Sequence, residues 1–448
     1  MSDQAELGAD AEIVERGAAE VREPSAKYLV EANLQPAAAG DFPPGWTLVR
    51  LMEVAGVRGG VAKNANVAIT DPVEVAYLRV ANVQDGYLDL ADISKIKVSK
   101  TDLKRYSLMP GDVLMNEGGD LDKLGRGALW RGEIKPCVHQ NHVFAVRCKP
   151  QLQGEYLNVW TASANARRFF LLAGKQTTNL ASISKSSLGE MPVALPPLEE
   201  QHAIATALSD VDALIAGLER LIAKMRDIQQ AAMQQLLTGQ TRLPGFSGEW
   251  SRKRLGELAE MGSGGTPPAG NPGYYGGTIP WVAISDMTQA GKFLERTERS
   301  LSDSGLANSA AQLFPAGTVL YAMYASLGEC SIACMELCTS QAILGIRPRA
   351  GLARDFLYYV LTSRKEFVKT LGQQGTQSNL NKGIVQSFEI LLPPPEEQTA
   401  IATILSDMDA ELSALEARLA KTRAIKQGMM QELLTGRTRL LEPTKAQR

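Results

Sequence analysis

Two stretches of the chain repeat one pattern of hydrophobic and polar residues. Residues 195–243 and 392–440 are identical at 31 of 49 positions by direct count, which indicates an internal duplication. Hydrophobic residues in both copies step by alternating fours and threes, the spacing of a coiled-coil seam. The seam residues are Ile204, Leu208, Val211, Ile215, Leu218, Ile222 and Met225 in the first copy and Ile401, Leu405, Met408, Leu412, Leu415 and Leu419 in the second. Two seams of equal length are most simply buried against each other.

Each copy is bounded by residues that favour the ends of a helix. Consecutive prolines and a pair of glutamates open it, and they suit the first turn because proline lacks a backbone donor and acidic side chains complement the helix dipole. Gly239 and Gly436 stand near the far ends, where a left-handed glycine cap is usual. We therefore predict helices over about 198–238 and 395–435, each roughly 60 Å long.

The two copies differ on the face beside the seam. The first copy has Ala207, Leu214, Leu221 and Ile228 there, and the second has Ile404, Glu411, Arg418 and Ile425. We therefore predict that the first helix buries a second face, against its own globular neighbours or a partner. The second helix is predicted to be more solvated.

The stretches outside the helices are rich in short β-type runs broken by Gly, Asp and Asn turns. The runs keep the same order in both halves, so that PAGTVLYAM answers PGDVLMNE. The predicted organisation is an acidic N-terminal extension (1–41), a first globule (42–194), a first spacer helix (195–242), a second globule (243–391), a second spacer helix (392–440) and a tail (441–448). The predicted fold class is α+β, with two mixed α/β-rich globules separated by two long helices in a pseudo-twofold repeat. Because the globules diverged more than the helices, we expect them to contact two different targets.

Composition and charge narrow the class of protein. Hydrophobic residues make up 44% of the chain, which allows sizeable cores. No apolar run reaches the ~18–20 residues of a membrane span, and the N-terminus is acidic, unlike a secretory signal, so a cytoplasmic location is predicted. Nine acidic and three basic residues in 1–41 leave 44 basic and 40 acidic residues elsewhere, a net charge of +4. Any nucleic-acid binding must therefore come from local patches.

The sequence offers little for catalysis or metal binding. It contains no GxxxxGK[ST], GxGxxG, HExxH or GxSxG motif, so the chain is predicted to be non-catalytic. Cys330, Cys334 and Cys338 are spaced by four residues, but without a nearby histidine they favour a buried structural role over a metal site. The CVHQNH stretch at 137–142 lacks a second ligand pair at zinc-finger spacing, so no metal is predicted there.

Several motifs together carry a resemblance to a known family. They are LPPLEEQ and LPPPEEQ before the helices, LLTG at their ends, GGTPP with YYGGTIPWVAISDM, and QGTQSNLNKGIVQSFEI. Over about residues 42–440 the chain resembles the DNA-specificity subunit of type I restriction-modification systems. The first globule departs from the pattern, because it has GVRGGVAKNANV and VAYLRVANV in place of the GGTP and IPWV strings.

The resemblance implies a function for each part of the chain. Each globule would be a target-recognition domain that reads one half of a split double-stranded DNA site, and the helices would pack antiparallel as a coiled-coil spacer between them. The partners implied are two methyltransferase subunits, which use S-adenosylmethionine to methylate adenine, and restriction subunits, which use ATP and magnesium; this chain itself would hold no cofactor. The alternative is a coiled-coil interaction scaffold without DNA specificity, which predicts no salt-dependent affinity for DNA.

Loop residues able to contact DNA are predicted from their chemistry. Backbone amides of Gly-rich loops, hydroxyls and basic side chains suit phosphates, while Arg, Asn, Gln, Ser and Thr suit base edges. In the first globule the candidates are Lys63, Asn64, Asn66, Arg79, Asn82, Lys123, Arg126, Lys175, Gln176, Thr177, Thr178 and Asn179. In the second globule they are Gly264, Gly265, Thr266, Tyr274, Tyr275, Ser285, Asp286, Tyr324, Ser326, Gln374, Thr376, Gln377, Ser378, Asn379 and Lys382. Trp46, Trp250 and Trp281 are predicted to belong to the cores.

Overall fold

The computed structural model describes residues 42–63, 69, 71–119, 124–125, 127–176, 181–374 and 380–441. The predicted acidic extension at 1–41 and residues 442–448 of the tail lie outside this range. The described residues form two compact units, of which one comprises 42–218 with 418–441 and the other comprises 219–417. Each unit contains one globule together with about half of each long helix. None of the helices in the described ranges is long and apolar enough to cross a membrane.

The first globule combines short strands with short helices. Its strands are β1 (Thr47–Arg50), β2 (Ala55–Arg58), β3 (Val73–Leu78), β4 (Ser94–Val98), β5 (Val113–Asn116), β6 (Gly118–Gly119), β7 (Gly127–Leu129), β8 (Cys137–His139), β9 (Val143–Cys148), β10 (Lys175–Gln176), β11 (Ala181–Ser182) and β12 (Pro192–Leu195). Its helices are α1 (Leu51–Val54), α2 (Lys100–Tyr106), α3 (Gly154–Thr161), α4 (Ala164–Ala173) and α5 (Lys185–Gly189), and Val80–Asn82 is a 3₁₀ turn. They are followed by the first long helix, α6 (Leu198–Leu236).

Four sheets organise this globule. Their strand orders are β2-β9-β5-β7, β4-β3-β8, β10-β11-β6 and the pair β1-β12. The β5 and β9 strands are almost entirely buried, as expected for short continuous apolar runs. Their side chains pack with α3, where Tyr156 and Trp160 are fully buried, and with Ile204 and Leu208 of α6. The core therefore holds the globule onto its own part of the long helix.

The second globule repeats this plan with different sequences. Its strands are β13 (Ser251–Arg254), β14 (Ala259–Ser263), β15 (Tyr275–Val282), β16 (Phe293–Leu294), β17 (Arg299–Leu301), β18 (Val319–Ala322), β19 (Cys330–Ala333), β20 (Cys338–Thr339), β21 (Ile343–Pro348) and β22 (Glu389–Leu392). Its helices are α7 (Leu255–Leu258), α8 (Ile284–Ala290), α9 (Asp303–Ala307), α10 (Arg354–Ser363), α11 (Lys365–Gln374) and α12 (Lys382–Gln386), with a 3₁₀ turn at Pro272–Tyr274, and the second long helix is α13 (Pro395–Leu433). The strand orders are β14-β21-β18-β19-β16, β17-β15-β20 and the pair β13-β22.

A matching pair of hydrogen bonds, one in each globule, shows how closely the two globules correspond. Tyr77 on β3 lies beside β8 and donates its hydroxyl hydrogen to the carbonyl oxygen of Val61 at 3.1 Å. Trp281 on β15 lies beside β20 and donates its indole N–H to the carbonyl oxygen of Gly265 at 3.0 Å. The duplication predicted from the order of the sequence runs is therefore present at the level of individual contacts, and Trp281 is a core residue as predicted.

The long helices are the predicted ones and are 39 residues each. Each ends three residues before a glycine, Gly239 or Gly436, with φ of +71° or +70°, the left-handed conformation usual just beyond a helix end. In the 42–218/418–441 unit, Asp212 pairs with Lys426 at 2.5 Å. In the 219–417 unit, Gln229 donates to Asp409 at 2.6 Å. Within each unit an early part of one helix thus lies against a late part of the other, which is antiparallel packing.

Burial along both helices follows the predicted seam. Every seam residue named from the sequence is buried or half-buried, as the alternating spacing requires. The second face of the first helix is different, because Leu214, Leu221 and Ile228 are 43%, 44% and 43% exposed. The prediction that these side chains are buried against the chain's own globules is wrong. Only Ala207 packs against a globule's core; burial against a partner stays a prediction.

A buried carboxylate closes the beginning of α6. Glu200 is 1% exposed and accepts the indole N–H of Trp46 at 2.9 Å. Arg439, which follows the second long helix, donates to both oxygens of this carboxylate at 2.5 and 2.7 Å. The buried charge is therefore fully paired in a bidentate geometry, which such a group requires.

The same closure recurs at the beginning of α13. Glu397 is fully buried and accepts hydrogen bonds from Trp250 at 3.0 Å and from Arg242 at 2.7 and 2.8 Å. The neighbouring glutamines are also used internally, since Gln398 donates to the carbonyls of Gly351 and Pro393. The repeated LPP-x-EEQ and LLTG-x-TRL strings are thus explained by tertiary contacts within each unit.

We call each buried carboxylate with its arginine a clamp. The clamp at the beginning of α6 predicts that two nearby arginines contribute very differently to stability. Replacing Arg439 by Met leaves the buried Glu200 without its cation, and we expect the 42–218/418–441 unit to lose about 3 kcal/mol of unfolding free energy. Arg437 faces solvent and lies 3.8 Å from Glu432, so Arg437→Met should cost less than about 1 kcal/mol. Urea denaturation followed by circular dichroism compares the two variants, and equal midpoints would refute the clamp.

Candidate nucleic-acid interface

The small sheet β10-β11-β6 joins the stems of two loops predicted to contact DNA. Ala181 pairs with Gln176 on one side and with Gly119 on the other, and both pairings are antiparallel. The chain therefore leaves this sheet towards residues 120–123 and 177–180 at the same end. Lys175, at the base of the second loop, is exposed.

The turn between β8 and β9 is polar and lies next to this small sheet. Glu117 donates its N–H to the carbonyl of His142 at 3.0 Å and accepts the N–H of Ile183 at 2.9 Å. The Glu117 carboxylate also lies 2.7 Å from Nδ1 of His142, which is exposed. On the other side of the turn, Val61 donates to the carbonyl of His139 at 2.7 Å, so the segment that leads to the exposed Lys63 reaches the same place.

Gln140, Asn141 and His142 were not among the candidates named from the sequence. They form the connection between β8 and β9, both of which are largely buried. The available signal was a run of three polar residues between two apolar runs. His142 is exposed, whereas Gln140 and Asn141 are half-buried. Asn and Gln are suited to adenine, and His offers a ring nitrogen.

The second globule has the same arrangement. Leu380 donates its N–H to the carbonyl of Met323 at 3.0 Å, so Leu380 lies beside Tyr324. Tyr324 is 37% exposed, and Lys382 is exposed at the first turn of α12. The turn that corresponds to 140–142 contains Ser340 and the exposed Gln341.

An arginine side chain on β17 stacks on two aromatic rings of the neighbouring strand β15. The guanidinium carbon of Arg299 is 4.6 Å from the ring centre of Tyr275 and 5.2 Å from that of Trp281. Tyr275 is held by its hydroxyl, which donates to the carbonyl of Pro267 at 2.6 Å. Arg299 is exposed and was missed by the sequence reasoning, because its partners are distant in the chain. A positioned guanidinium of this kind suits phosphate or guanine.

The two glycines of the GGTP string have a structural role. A Cβ at Gly264 would lie 2.1 Å from Oγ1 of Thr339, and one at Gly265 would lie 2.3 Å from the backbone carbon of Ala310. The first globule keeps the first of these positions as Gly60, where a Cβ would lie 2.1 Å from the carbonyl oxygen of His139. These glycines therefore let one segment pack on the turn beside it.

Two predicted contact residues hold turns inside the fold. Asn82 is 3% exposed, accepts the N–H of Arg79 at 2.8 Å and donates to the carbonyl of Asp92 at 2.9 Å. Asp286 is 8% exposed and accepts the N–H of Glu298 at 3.0 Å. Their polar atoms are occupied by backbone groups, so they shape the loops around them.

Family comparison decides how this chain is classified. The type I restriction modification DNA specificity domain matches it twice, over residues 43–225 and 247–424. The chain belongs to this family. Each match begins with a globule and extends into the long helix that follows it.

Individual relatives agree with the assignment. A putative type I restriction enzyme specificity subunit (MjaX) from Methanocaldococcus jannaschii is 23% identical over 429 residues, which cover 92% of this chain and 98% of the relative. A chain from a solved type I R-M system has a TM-score of 0.59 at 20% identity, with 89% of this chain and 99% of that chain covered. The type I restriction-modification S subunit of M. genitalium has a TM-score of 0.56 at 14% identity, with 89% and 99% covered. These structures show that the fold is shared.

Within the two specificity domains, the predicted contact residues that the structure describes fall into three groups. Lys63, Lys175, Thr266, Ser285, Tyr324 and Lys382 are exposed, whereas Arg79, Tyr274, Tyr275 and Ser326 are half-buried. Asn82, Gly264, Gly265 and Asp286 are buried. Asn64, Asn66, Lys123, Arg126, Thr177, Thr178, Asn179, Thr376, Gln377, Ser378 and Asn379, and the side chains of Gln176 and Gln374, lie outside the described residues. DNA contact by any of them stays a prediction.

The cysteines of the specificity domains are mostly inaccessible. Cys330 and Cys338 are buried as predicted, but Cys334 is exposed, so its predicted burial is wrong. Cys334 follows the end of β19 at a turn, where the chain reaches solvent. Burial raises the pKa of Cys137 and of Cys148 to about 12, so both thiols are protonated at neutral pH. No group of three or more His, Cys, Asp or Glu side chains in the described ranges could hold a metal ion.

The packing of Gly264 generates a prediction for the second specificity domain. Gly264→Ala forces its Cβ against Thr339, and we expect a loss of about 1–3 kcal/mol of unfolding free energy. Gly270 has open space around its Cα, so Gly270→Ala is the matched control and should change stability by less than about 1 kcal/mol. Thermal unfolding measures both, and a tolerated Gly264→Ala would show that the close approach is not needed.

Proposed function

We propose that this chain is the DNA-specificity subunit of a type I restriction-modification complex and that its two domains read different half-sites. One observation carries the proposal. The two specificity domains share the internal contacts that support the turn after β8 and after β20, and we call these contacts the frame, but the polar side chains on the two turns differ. Gln140, Asn141 and His142 occupy the turn in the first domain, where the second has Ser340, Gln341 and Ala342. Side chains that contact base edges select the DNA sequence that is bound. Different turns on one frame are therefore suited to different base sequences.

The shared frame supports this reading because it positions both turns in the same way. Tyr77 and Trp281 bond to equivalent carbonyls, and Gly60 and Gly264 pack on equivalent turns. A residue with the same internal role in both domains cannot distinguish two targets. The exposed residues that differ are therefore the better candidates for base contacts, with Lys63, Lys175, Lys382 and Arg299 available for phosphates.

The long helices would serve as spacer and docking surface. Within each unit, the seam and the buried carboxylate clamp hold the two helices against each other, which is what a spacer needs. In the 219–417 unit, the exposed Leu221 and Ile228 lie seven residues apart on α6 and offer an apolar stripe to a partner, for which a methyltransferase subunit is the proposed occupant. The chain itself would carry out no chemistry, because adenine methylation with S-adenosylmethionine and ATP-driven restriction would belong to its partners.

Modified-base sequencing tests the function directly. DNA is sequenced from cells that express the cognate methyltransferase subunit with and without this chain. We expect methylated adenine in two short sequence blocks separated by a fixed gap, and only when this chain is present. If the two proteins co-purify but no methylation appears, the chain is a scaffold without DNA specificity.

The length of the helices should set the gap. Inserting one heptad into each long helix keeps the seam in register and lengthens the pair by roughly 10 Å, or about three base pairs. We expect the gap between the methylated blocks to grow by about that amount while the sequences of the blocks stay the same. A matched insertion of seven residues into the loop that contains Gly270, which lies outside the helices, should leave the gap unchanged. Altered blocks after the helix insertion would refute the spacer role.

A further inference from the structure

Lys292 connects the second specificity domain to the second long helix. It lies between α8 and β16, and its side chain is only 11% exposed. Its ammonium group donates to the hydroxyl of Tyr359 at 2.9 Å and to that of Ser406 on α13 at 2.5 Å. The carboxylate of Asp355 on α10 lies 3.7 Å away. A single side chain in the connection between α8 and β16 thus contacts two other helices.

The contacts continue from Lys292 to both long helices. Tyr359 donates its hydroxyl hydrogen to one oxygen of Asp409 on α13 at 2.5 Å. The other oxygen of Asp409 accepts from Gln229 on α6 at 2.6 Å. All of these residues belong to the 219–417 unit. The network therefore runs from an edge strand of the recognition globule through α10 to the helix pair.

The environment of Lys292 resists displacement. Burial lowers the pKa of the lysine, whereas Asp355 and Asp409 raise it. Its nitrogen also lies 4.5 Å from the ring centre of Tyr359 and 5.3 Å from that of Tyr358, so the cation is covered by aromatic faces. A cation in this position loses all of these partners together if the strand moves away from the helix.

A short helix links this network to the candidate DNA interface. The seven-residue α8 begins at the exposed Ser285 end and finishes two residues before Lys292, a span of roughly 10 Å. Gly291 turns the chain between them with φ of +67°, and its carbonyl accepts the hydroxyl of Ser331 at 2.6 Å. Movement at Lys292 would therefore be transmitted to the Ser285 turn.

The first specificity domain is joined to its helices differently. The positions that correspond to Tyr358 and Tyr359 on α3 are Asn158 and Val159, and they line an open cleft together with Leu208, Asp212 and Lys426. Lys426 pairs with Asp212, and this ion pair joins one long helix to the other. The tyrosines that build the network on α10 are thus replaced by an asparagine and a valine on α3.

We propose that Lys292 is a positioning residue that fixes α8, and with it the Ser285 turn, on the second long helix and so sets the spacing at which the second half-site is read. The consequence for DNA rests on the proposed function, while the attachment of α8 does not. Lys292→Met keeps the length of the side chain and removes the cation, and Tyr359→Phe removes only the hydroxyl that bridges Lys292 and Asp409.

The attachment is tested without DNA. Nitroxide labels at Gln289→Cys on α8 and Ser413→Cys on α13, in a Cys334→Ser background, report the distance between the two elements by pulsed electron double resonance. We expect the width of the distance distribution to increase about twofold in Lys292→Met and less in Tyr359→Phe. Arg347→Met is the matched control, since Arg347 makes an exposed ion pair with Glu260 across the sheet that contains β16. Unchanged widths would overturn the proposal.

The consequence for reading is tested with a library of DNA substrates whose gap varies by one base pair. We expect the ratio of methylation at the altered gap to methylation at the native gap to rise about fivefold in Lys292→Met, with unchanged half-site sequences, and to stay at the wild-type value in Arg347→Met. A broader distance distribution with an unchanged gap preference would overturn the assigned role in reading. If the wild-type chain confers no methylation, the proposed function fails, and the distance measurement still decides whether Lys292 positions α8.

Discussion

The ion pair between a buried carboxylate at the start of each long helix and an arginine is the interaction on which the rest of the structure depends. Glu200 and Glu397 stand in the first turn of a helix, where the backbone dipole favours an anion, yet both are almost fully buried. A charge in that position needs complete pairing, and an arginine from beyond the other helix provides it. Because the arginine and the carboxylate come from opposite helices, slipping one helix by a turn would separate them. The clamps thus fix both direction and register.

With the helices held in this way, the globules are free to differ on their exposed turns. Their internal contacts are the same where they must support those turns, as at Tyr77 and Trp281. A shared frame lets exposed residues change without loss of fold, because side chains in solvent contribute little to stability. This division of roles is consistent with membership in a family of DNA specificity domains and explains why the helices, and not the globules, retain the strongest repeat in sequence.

The two halves of the molecule are nevertheless not equivalent where globule meets helix. In the 219–417 unit, a lysine, a tyrosine and an aspartate connect an edge strand to both long helices. In the other unit the corresponding positions line a cleft, where an ion pair joins one long helix to the other. The duplication gives both units the same apolar seam, while the polar contacts between globule and helix differ. Hydrogen bonds between globule and helix constrain their relative orientation within the unit, because hydrogen bonds depend on angle and apolar burial does not.

The sequence by itself determined the parts of this protein that depend on local periodicity. The seam, the two long helices, the duplication and the order of the β-type runs could all be read from spacing and from residues at helix ends, since these patterns act within a few turns of chain. Only the tertiary structure decided that Glu200 meets Arg439, that Leu214 faces solvent, and that Asn82 and Asp286 hold turns instead of reaching outward. The same is true of the Gln140–His142 turn and of Lys292. Each of these outcomes depends on contacts between residues far apart in the chain, and such contacts follow from how the elements pack rather than from any local pattern of residues.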